Sequence, residues 1–363
     1  MPFGPSRGGG LALAAVAWLA ACGGGADGGS SATGPIIPPV DTDTFPLRAL
    51  AQQAGIRIGS AGDRGFRWTG SDGSSFRSIL SREFSVLTPE NDMKFDHLHP
   101  APTTYYFAGA DSLVAFAQQN QMVVRGHTLV WHQQLPRWIT SGGFGADEAW
   151  QQLSDHIATV VSHFKGKVFA WDVVNEALSD DGSLRSGYWF DHIGRSYIEL
   201  AFRAARAADP NVALFYNDYN IEGIGPKSDS VYAMVKDFLV RGVPINGVGF
   251  QAHFTLNGLP STLGANIARF AALGLKVHIT ELDVRVPVPS SNASLASQAQ
   301  NYHDVVAACI QNKGCELVTT WGFTDKDSWV PSTFPGQGDA LPWDSFFQRK
   351  PAYRSIYNAL AGR

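Results

Sequence analysis

Eight short apolar runs, separated by segments of helical periodicity, constrain the fold of this chain more than any other feature. They are Ile56 to Gly59, Phe84 to Leu87, Met122 to Arg125, Phe169 to Val174, Ala213 to Tyr216, Gly247 to Phe250, Lys276 to Ile279 and Leu317 to Thr320. Between them lie amphipathic stretches at Ser112 to Asn120, Ala146 to His163, Ser196 to Ala208 and Lys227 to Arg241, the last followed by Gly242 as a helix stop. Strands that alternate with helices build a parallel sheet, and eight such units predict an α/β fold of the (β/α)8 TIM-barrel type. The alternative, a doubly wound open sheet, carries a Gly-rich phosphate fingerprint after its first strand. The run Gly59, Ser60, Ala61, Gly62 does not fit it.

The chain has 363 residues, a length that one barrel can fill. Beyond Phe45 there is no second linker, repeat or low-complexity run, so residues 41–363 read as one catalytic domain. With 44% hydrophobic and 17% charged residues, the chain can bury a large core. A formal charge of -4 without any Lys or Arg run argues against nucleic acid as a partner. The 10 Trp residues suit either a large core or the stacking of flat sugar faces, and composition leaves both readings open.

The N-terminus reads as a processing segment. Arg7 is followed by the apolar run Leu11 to Ala21, which is too short to span a bilayer. Leu19, Ala20, Ala21 and Cys22 resemble a bacterial lipobox, and a Gly- and Ser-rich stretch from Gly23 to Gly34 follows. Residues 1–22 are therefore expected to be an export signal with Cys22 as lipidation candidate, and residues 23–40 a tether. Gly23 after the Cys points to an outer-membrane or cell-surface lipoprotein, and free secretion is the alternative. Cys309 and Cys315, six positions apart in an exported chain, are expected to form a disulfide. They lack the nearby His or third Cys that a zinc site needs, so no metal is expected.

Nearly every strand runs into a polar or aromatic cluster at its C-terminal end, where barrel enzymes build their sites. In order these are TPENDMKF, GHTLVWHQQLP, WDVVNEA, YNDYN, QAHF, ITELD and TWGFTDKDSW. Rim capping could explain one such cluster, but it is a poor account of seven in succession. Two carboxylates stand where a central cleft has opposing walls: Glu176 beyond the fourth strand and Glu281 at the end of the seventh. Glycoside cleavage needs such a pair, one group to protonate the departing oxygen and one to attack the anomeric carbon, with no cofactor. Retention of configuration requires the carboxyls about 5–5.5 Å apart and inversion roughly 6.5–9.5 Å. His253 is a plausible hydrogen-bond partner of Glu281, and Asp283 could orient that His in turn. Asn175 offers amide donors to a sugar 2-hydroxyl.

The stretches WDVVNEA, ITELDV, TPENDMKF, HTLVWHQQLP and WGFTDKDSW resemble the signatures of glycoside hydrolase family 10 xylanases, in the family's order and across the whole barrel. The resemblance implies an endo-acting, retaining enzyme on the β-1,4 bonds of xylan and xylo-oligosaccharides, with Glu176 as acid/base and Glu281 as nucleophile. It implies Asn175, Asn217, Gln251 and His253 around the reacting sugar and Glu90, Asn91, Lys94, His127, Trp131 and Gln134 on the glycone sugars. Trp321 and Trp329 would form an aromatic roof, and Tyr219 would line the aglycone side. Asp92 and Phe95 depart from the family's commoner Glu and Trp, and neither is expected to touch sugar. Two rivals stand beside this reading. A barrel that binds polysaccharide without cutting it usually loses a catalytic Glu, whereas both are present here. A β-1,4-glucanase must admit a hydroxymethyl group past Trp329, Gln134 and Lys94. A monomer is expected, with a membrane association only through the N-terminal anchor.

Overall fold

The computed structural model describes residues 44–363, so the export segment, the tether and Cys22 lie outside the described residues. The stretch Val123–Val130 illustrates why the strands associate: every residue after Val123 is buried, as befits a strand covered by helices on one face and barrel interior on the other. Eight strands of this kind form the barrel. They are β1 (Arg57–Ala61), β2 (Val86–Thr88), β3 (Val123–Val130), β4 (Val168–Asn175), β5 (Ala213–Asp218), β6 (Gly247–Phe250), β7 (Lys276–Pro287) and β8 (Cys315–Thr320). Each pairs in parallel with the next, and β8 pairs with β1 through Leu317 opposite Arg57, which closes the sheet. All eight expected strands and the TIM barrel are therefore present.

The helices follow their apolar spacing. In Ala146–His163 the buried residues Ala149, Leu153, His156, Ile157, Val160 and Val161 recur every three or four positions and face the sheet. The Glu148 carboxylate accepts from the Gly145 amide at 2.9 Å and holds the first turn. Helix Pro226–Val240 ends before Gly242, whose φ of 65° is the left-handed geometry a helix terminator supplies.

The main departure from the sequence reading is β7. Its apolar run ends at Ile279, yet the strand continues to Pro287 because two further segments pair with it. His253–Thr255 runs parallel to Asp283–Arg285, and Gln337–Gly338 runs antiparallel to Val286–Pro287. A strand that outgrows the barrel rim carries its alternate side chains, Glu281, Asp283 and Arg285, along one wall of the space above it.

Within β1, Gly59 meets a packing requirement. A Cβ there would lie 2.7 Å from Thr319 Oγ1 and 2.9 Å from Val86 Cβ, so neighbouring strands leave no room for a side chain. The expected disulfide links Cys309, near the end of helix Asn292–Gln311, to Cys315 at the start of β8, with Cα atoms 5.1 Å apart.

A column of stacked rings fills the space beside β3. Phe95 lies 3.7 Å from the His156 ring, His99 lies 5.6 Å from it on a nearly parallel plane, and Tyr105 stacks on His99 at 4.0 Å. His156 is fully buried and neither ring nitrogen has a hydrogen-bond partner. Burial, and then the neighbouring His99, push its pKa well below 6.5. The unfolded ring takes a proton below about pH 6.5 and the folded ring does not, so stability present above that pH is lost as pH falls. The melting temperature should therefore drop between pH 7.5 and 5. His156→Phe, which keeps the stack, should lessen the slope by up to about 1.4 kcal/mol per pH unit. An unchanged slope in scanning calorimetry of the variant would assign the acid sensitivity elsewhere.

Candidate active site

The ends of the barrel strands surround an open cleft of about 670 Å³. Glu281, on β7, lines it and is only 5% exposed. Asn217 Nδ2 donates to Glu281 Oε1 at 2.7 Å, and His253 Nε2 donates to Oε2 at 3.2 Å. The opposite edge of that imidazole donates from Nδ1 to Asp283 Oδ2 at 2.8 Å, and Trp329 Nε1 donates to the same oxygen at 2.7 Å. Burial disfavours a charged ring, but the Asp283 carboxylate and then Glu281 outweigh it and raise the His253 pKa to about 10. Burial alone would likewise raise Glu281. The His253 hydrogen bond and the field of His127 reverse this and hold its pKa below 4.5. Glu281 is thus an anion throughout the neutral range. The sequence reading named His253 as a partner of Glu281 from its place at a strand end and Asp283 as the group that orients it, and both contacts are present.

Glu176 faces it from just beyond β4. Its φ of 57° is a left-handed conformation uncommon for a side chain with a Cβ, and its backbone is pinned on both sides. The Glu176 amide donates to the Asn217 carbonyl at 2.9 Å, and the Arg185 guanidinium donates to the Glu176 carbonyl at 2.9 Å. Trp131 Nε1 donates to Oε2 at 2.9 Å, and Gln251 Nε2 donates to Oε1 at 2.9 Å. The two carboxylates are joined by an unbroken amide chain. Asn217 bridges Glu281 and Asn175 Oδ1, the latter at 2.9 Å, and Gln251 bridges Asn175 Oδ1 and Glu176.

The expected substrate residues Glu90, Asn91, Lys94, His127, Trp131, Gln134, Asn175, Tyr219, Gln251, His253, Trp321 and Trp329 all line the cleft. Asn217 does not. It is fully buried, its amide hydrogens are spent on Asn175 and Glu281, and its oxygen accepts from Thr280 at 2.7 Å. It supports Glu281 from below, which corrects the expectation that it surrounds the sugar. Asp283 is buried behind His253, as expected. Asp92 pairs with Arg67 at 2.6 Å and Phe95 packs in the ring column, so both departures from the family pattern lie off the cleft.

Several side chains are already committed. Lys94 Nζ donates to Gln134 Oε1 at 2.7 Å and Asn91 Oδ1 at 3.1 Å, and sits 4.9 Å from the Trp131 ring centre. Below the cleft, Arg125 Nε donates to Asp172 Oδ2 at 3.1 Å, and Asp172 also holds His127 Nδ1 at 3.1 Å. Tyr219 accepts from Arg185 at 2.8 Å, with Lys227 Nζ 3.5 Å from its ring centre. Glu90 has the opposite character to Glu281: burial, with Asp63 and Asp327 adding to it, raises its pKa to about 8. It is therefore neutral at pH 7 and can donate as well as accept.

The cleft also contains His132, Gln133, Arg185, Asn220, Arg285, Thr333 and Phe334, which sequence reasoning did not select. His132 and Gln133 lie inside the GHTLVWHQQLP run and were within reach. Arg285 continues the alternation of Glu281 and Asp283, a period-2 signal along β7. Arg185 comes from an irregular loop and carries no such signal.

Opposed carboxylates over a polar and aromatic trough on a barrel rim define the class of glycoside-cleaving barrels. The family model described as Glycosyl hydrolase family 10 matches residues 46–359. The chain is 46% identical over 313 residues to endo-1,4-beta-xylanase B of Thermotoga neapolitana, covering 86% of this chain and 90% of that one. It superposes on native xylanase 10B of Thermotoga maritima with a TM-score of 0.85 at 46% identity, covering 88% and 98% of the two chains. The xylobiose complex of xylanase 10B from Thermotoga petrophila RKU-1 gives the same TM-score, 0.85, and identity, 46%. The chain belongs to glycosyl hydrolase family 10.

The dependence of Glu281 on a charged His253 can be tested at Asp283. In Asp283→Asn the His253 pKa should fall from about 10, and the Glu281 pKa should rise as its cationic partner is lost. Nitrogen NMR of the imidazole should follow the first change. The acid limb of the activity profile should move to higher pH, and an unmoved limb would break the proposed coupling.

Proposed function

We propose that this chain is an endo-1,4-β-xylanase that cleaves xylan with retention of configuration, Glu176 serving as acid/base and Glu281 as nucleophile. The carrying observation is the division of labour in the cleft: a buried Glu281 held anionic by Asn217 and His253, facing a Glu176 oriented by Trp131 and Gln251. In the first step Glu281 attacks the anomeric carbon while Glu176 protonates the departing oxygen. In the second, Glu176 takes a proton from water, which attacks that carbon and releases Glu281. The Asn175 amide, already donating to Glu176 Oε1 at 3.2 Å, lies where a sugar 2-hydroxyl can exchange with it as charge develops.

Xylan is favoured by relatives named endo-1,4-beta-xylanase and by the xylobiose held in the Thermotoga petrophila protein. A glucan would need room for a hydroxymethyl group where the Lys94 and Gln134 side chains are locked to each other. The sites assigned to Glu90, Asn91, Lys94, His127 and Gln134 on the glycone side, and to Tyr219 on the aglycone side, belong to this reading. A proton NMR time course on a linear xylo-oligosaccharide tests it. The new reducing end should appear first as the β anomer, with none released by Glu281→Gln. An initial α anomer would overturn the nucleophile, and no cleavage would restore the binding-protein reading.

We propose further that the protein is exported and held at the cell surface through Cys22. Mass spectrometry of the mature protein should find a diacylated or triacylated Cys22 as its first residue. An unmodified N-terminus at another position would replace the anchor by free secretion.

A further inference from the structure

Arg285 is the one Lys or Arg on the cleft wall whose side chain has no hydrogen-bond acceptor among the described residues. Lys94 is bound to Asn91 and Gln134, Arg185 to two backbone carbonyls and Tyr219, and His253 to Glu281 and Asp283. The Arg285 guanidinium makes no hydrogen bond or ion pair, and its Nε is buried without an acceptor. It is nonetheless held in place. Its backbone pairs with Thr255, and its guanidinium carbon lies 4.1 Å from the Phe334 ring centre. Phe334 in turn meets Trp329 edge to face at 5.5 Å.

A guanidinium oriented on an aromatic ring, with its terminal N–H donors unpaired, is preorganised for a planar anion that accepts two parallel N–H bonds. The anion must enter the same trough as the sugar chain, beside an apolar surface formed by Trp329 and Phe334. A sugar acid meets both conditions, since it offers a C–H face and a carboxylate. A neutral backbone hydroxyl would leave the charge uncompensated in a partly buried setting. We infer that Arg285 binds the carboxylate of a hexuronic acid branch carried by the xylan chain, making branched acidic xylan a preferred substrate. This inference rests on the xylanase reading and deepens it.

The test compares wild type and Arg285→Gln on three sets of xylo-oligosaccharides. One is linear, one carries a single glucuronic acid branch at each internal position in turn, and one carries the same branches with the carboxyl reduced to an alcohol. Wild type should show a kcat/KM about tenfold higher on at least one acidic isomer than on its reduced form, the scale of one charge-assisted pair. Raising the salt concentration should shrink that ratio. Arg285→Gln should abolish the ratio, its loss on the acidic isomer exceeding any loss on the linear chain by about tenfold. Equal rates of wild type on every acidic and reduced pair would overturn the inference, as would a uniform loss on all three sets in the variant. Failure of the xylanase reading looks different, as wild type inert on the linear chain. Calorimetric binding of the same three sets to Glu281→Gln, with and without Arg285→Gln, then decides the role of Arg285 without turnover.

Discussion

Closure of the parallel sheet is the constraint on which the rest of this molecule depends. Because β1 to β8 run in the same direction and β8 returns to β1, every strand delivers its C-terminal residue to one rim. Residues separated by more than a hundred positions then share a hydrogen-bond network. Asn175 ends β4, Asn217 lies in β5, Gln251 follows β6 and Glu281 lies in β7, and adjacent strands make these consecutive neighbours around the cleft. The amide chain between Glu176 and Glu281 is a direct product of that order.

Burial pushes the carboxyls of the cleft toward their neutral forms, and partners decide which of them stays charged. Glu281 and Glu90 are both carboxyl groups removed from water, and desolvation pushes each toward its neutral form. Glu281 receives donors from Asn217 and His253 and remains ionised. Glu90 is held neutral to about pH 8 by burial, with Asp63 and Asp327 adding to it. Neutral and anionic carboxyls thus coexist in one cleft at neutral pH, the first able to donate a hydrogen bond and the second only to accept. His253 is the hinge of this arrangement. It is cationic because Asp283 stands behind it, and Trp329 shares Asp283 by its indole N–H. The Trp329 indole on the cleft wall is therefore also part of the electrostatic support of Glu281.

Several residues show how far a sequence reading reaches. The helix at Ala146–His163 was legible to the residue, because its apolar spacing is clear and Gly145 precedes it. The length of β7 was not, since the partners that extend it, His253–Thr255 and Gln337–Gly338, come from distant loops. Pattern and motif placed Asn217 among the site residues. Its burial is a matter of strand register, which turns it toward Thr280 and Glu281 and away from solvent. Arg185 was invisible because its role comes from a loop that happens to reach both the Glu176 carbonyl and the Tyr219 hydroxyl.

The sequence by itself determined the eight-unit barrel, the polar clusters at its rim, the two glutamates and the Cys309 to Cys315 link, because apolar periodicity and local chemistry are properties of neighbouring residues. Tertiary structure alone decided which oxygen meets which donor, which carboxyl is charged, and which arginine on the cleft wall lacks an acceptor. Those properties depend on burial and on distances of a few ångströms between residues far apart in the chain, such as Arg285 and Phe334 or Asn217 and Glu281. Local pattern carries no record of such distances, and the electrostatics of a buried group changes with each of them.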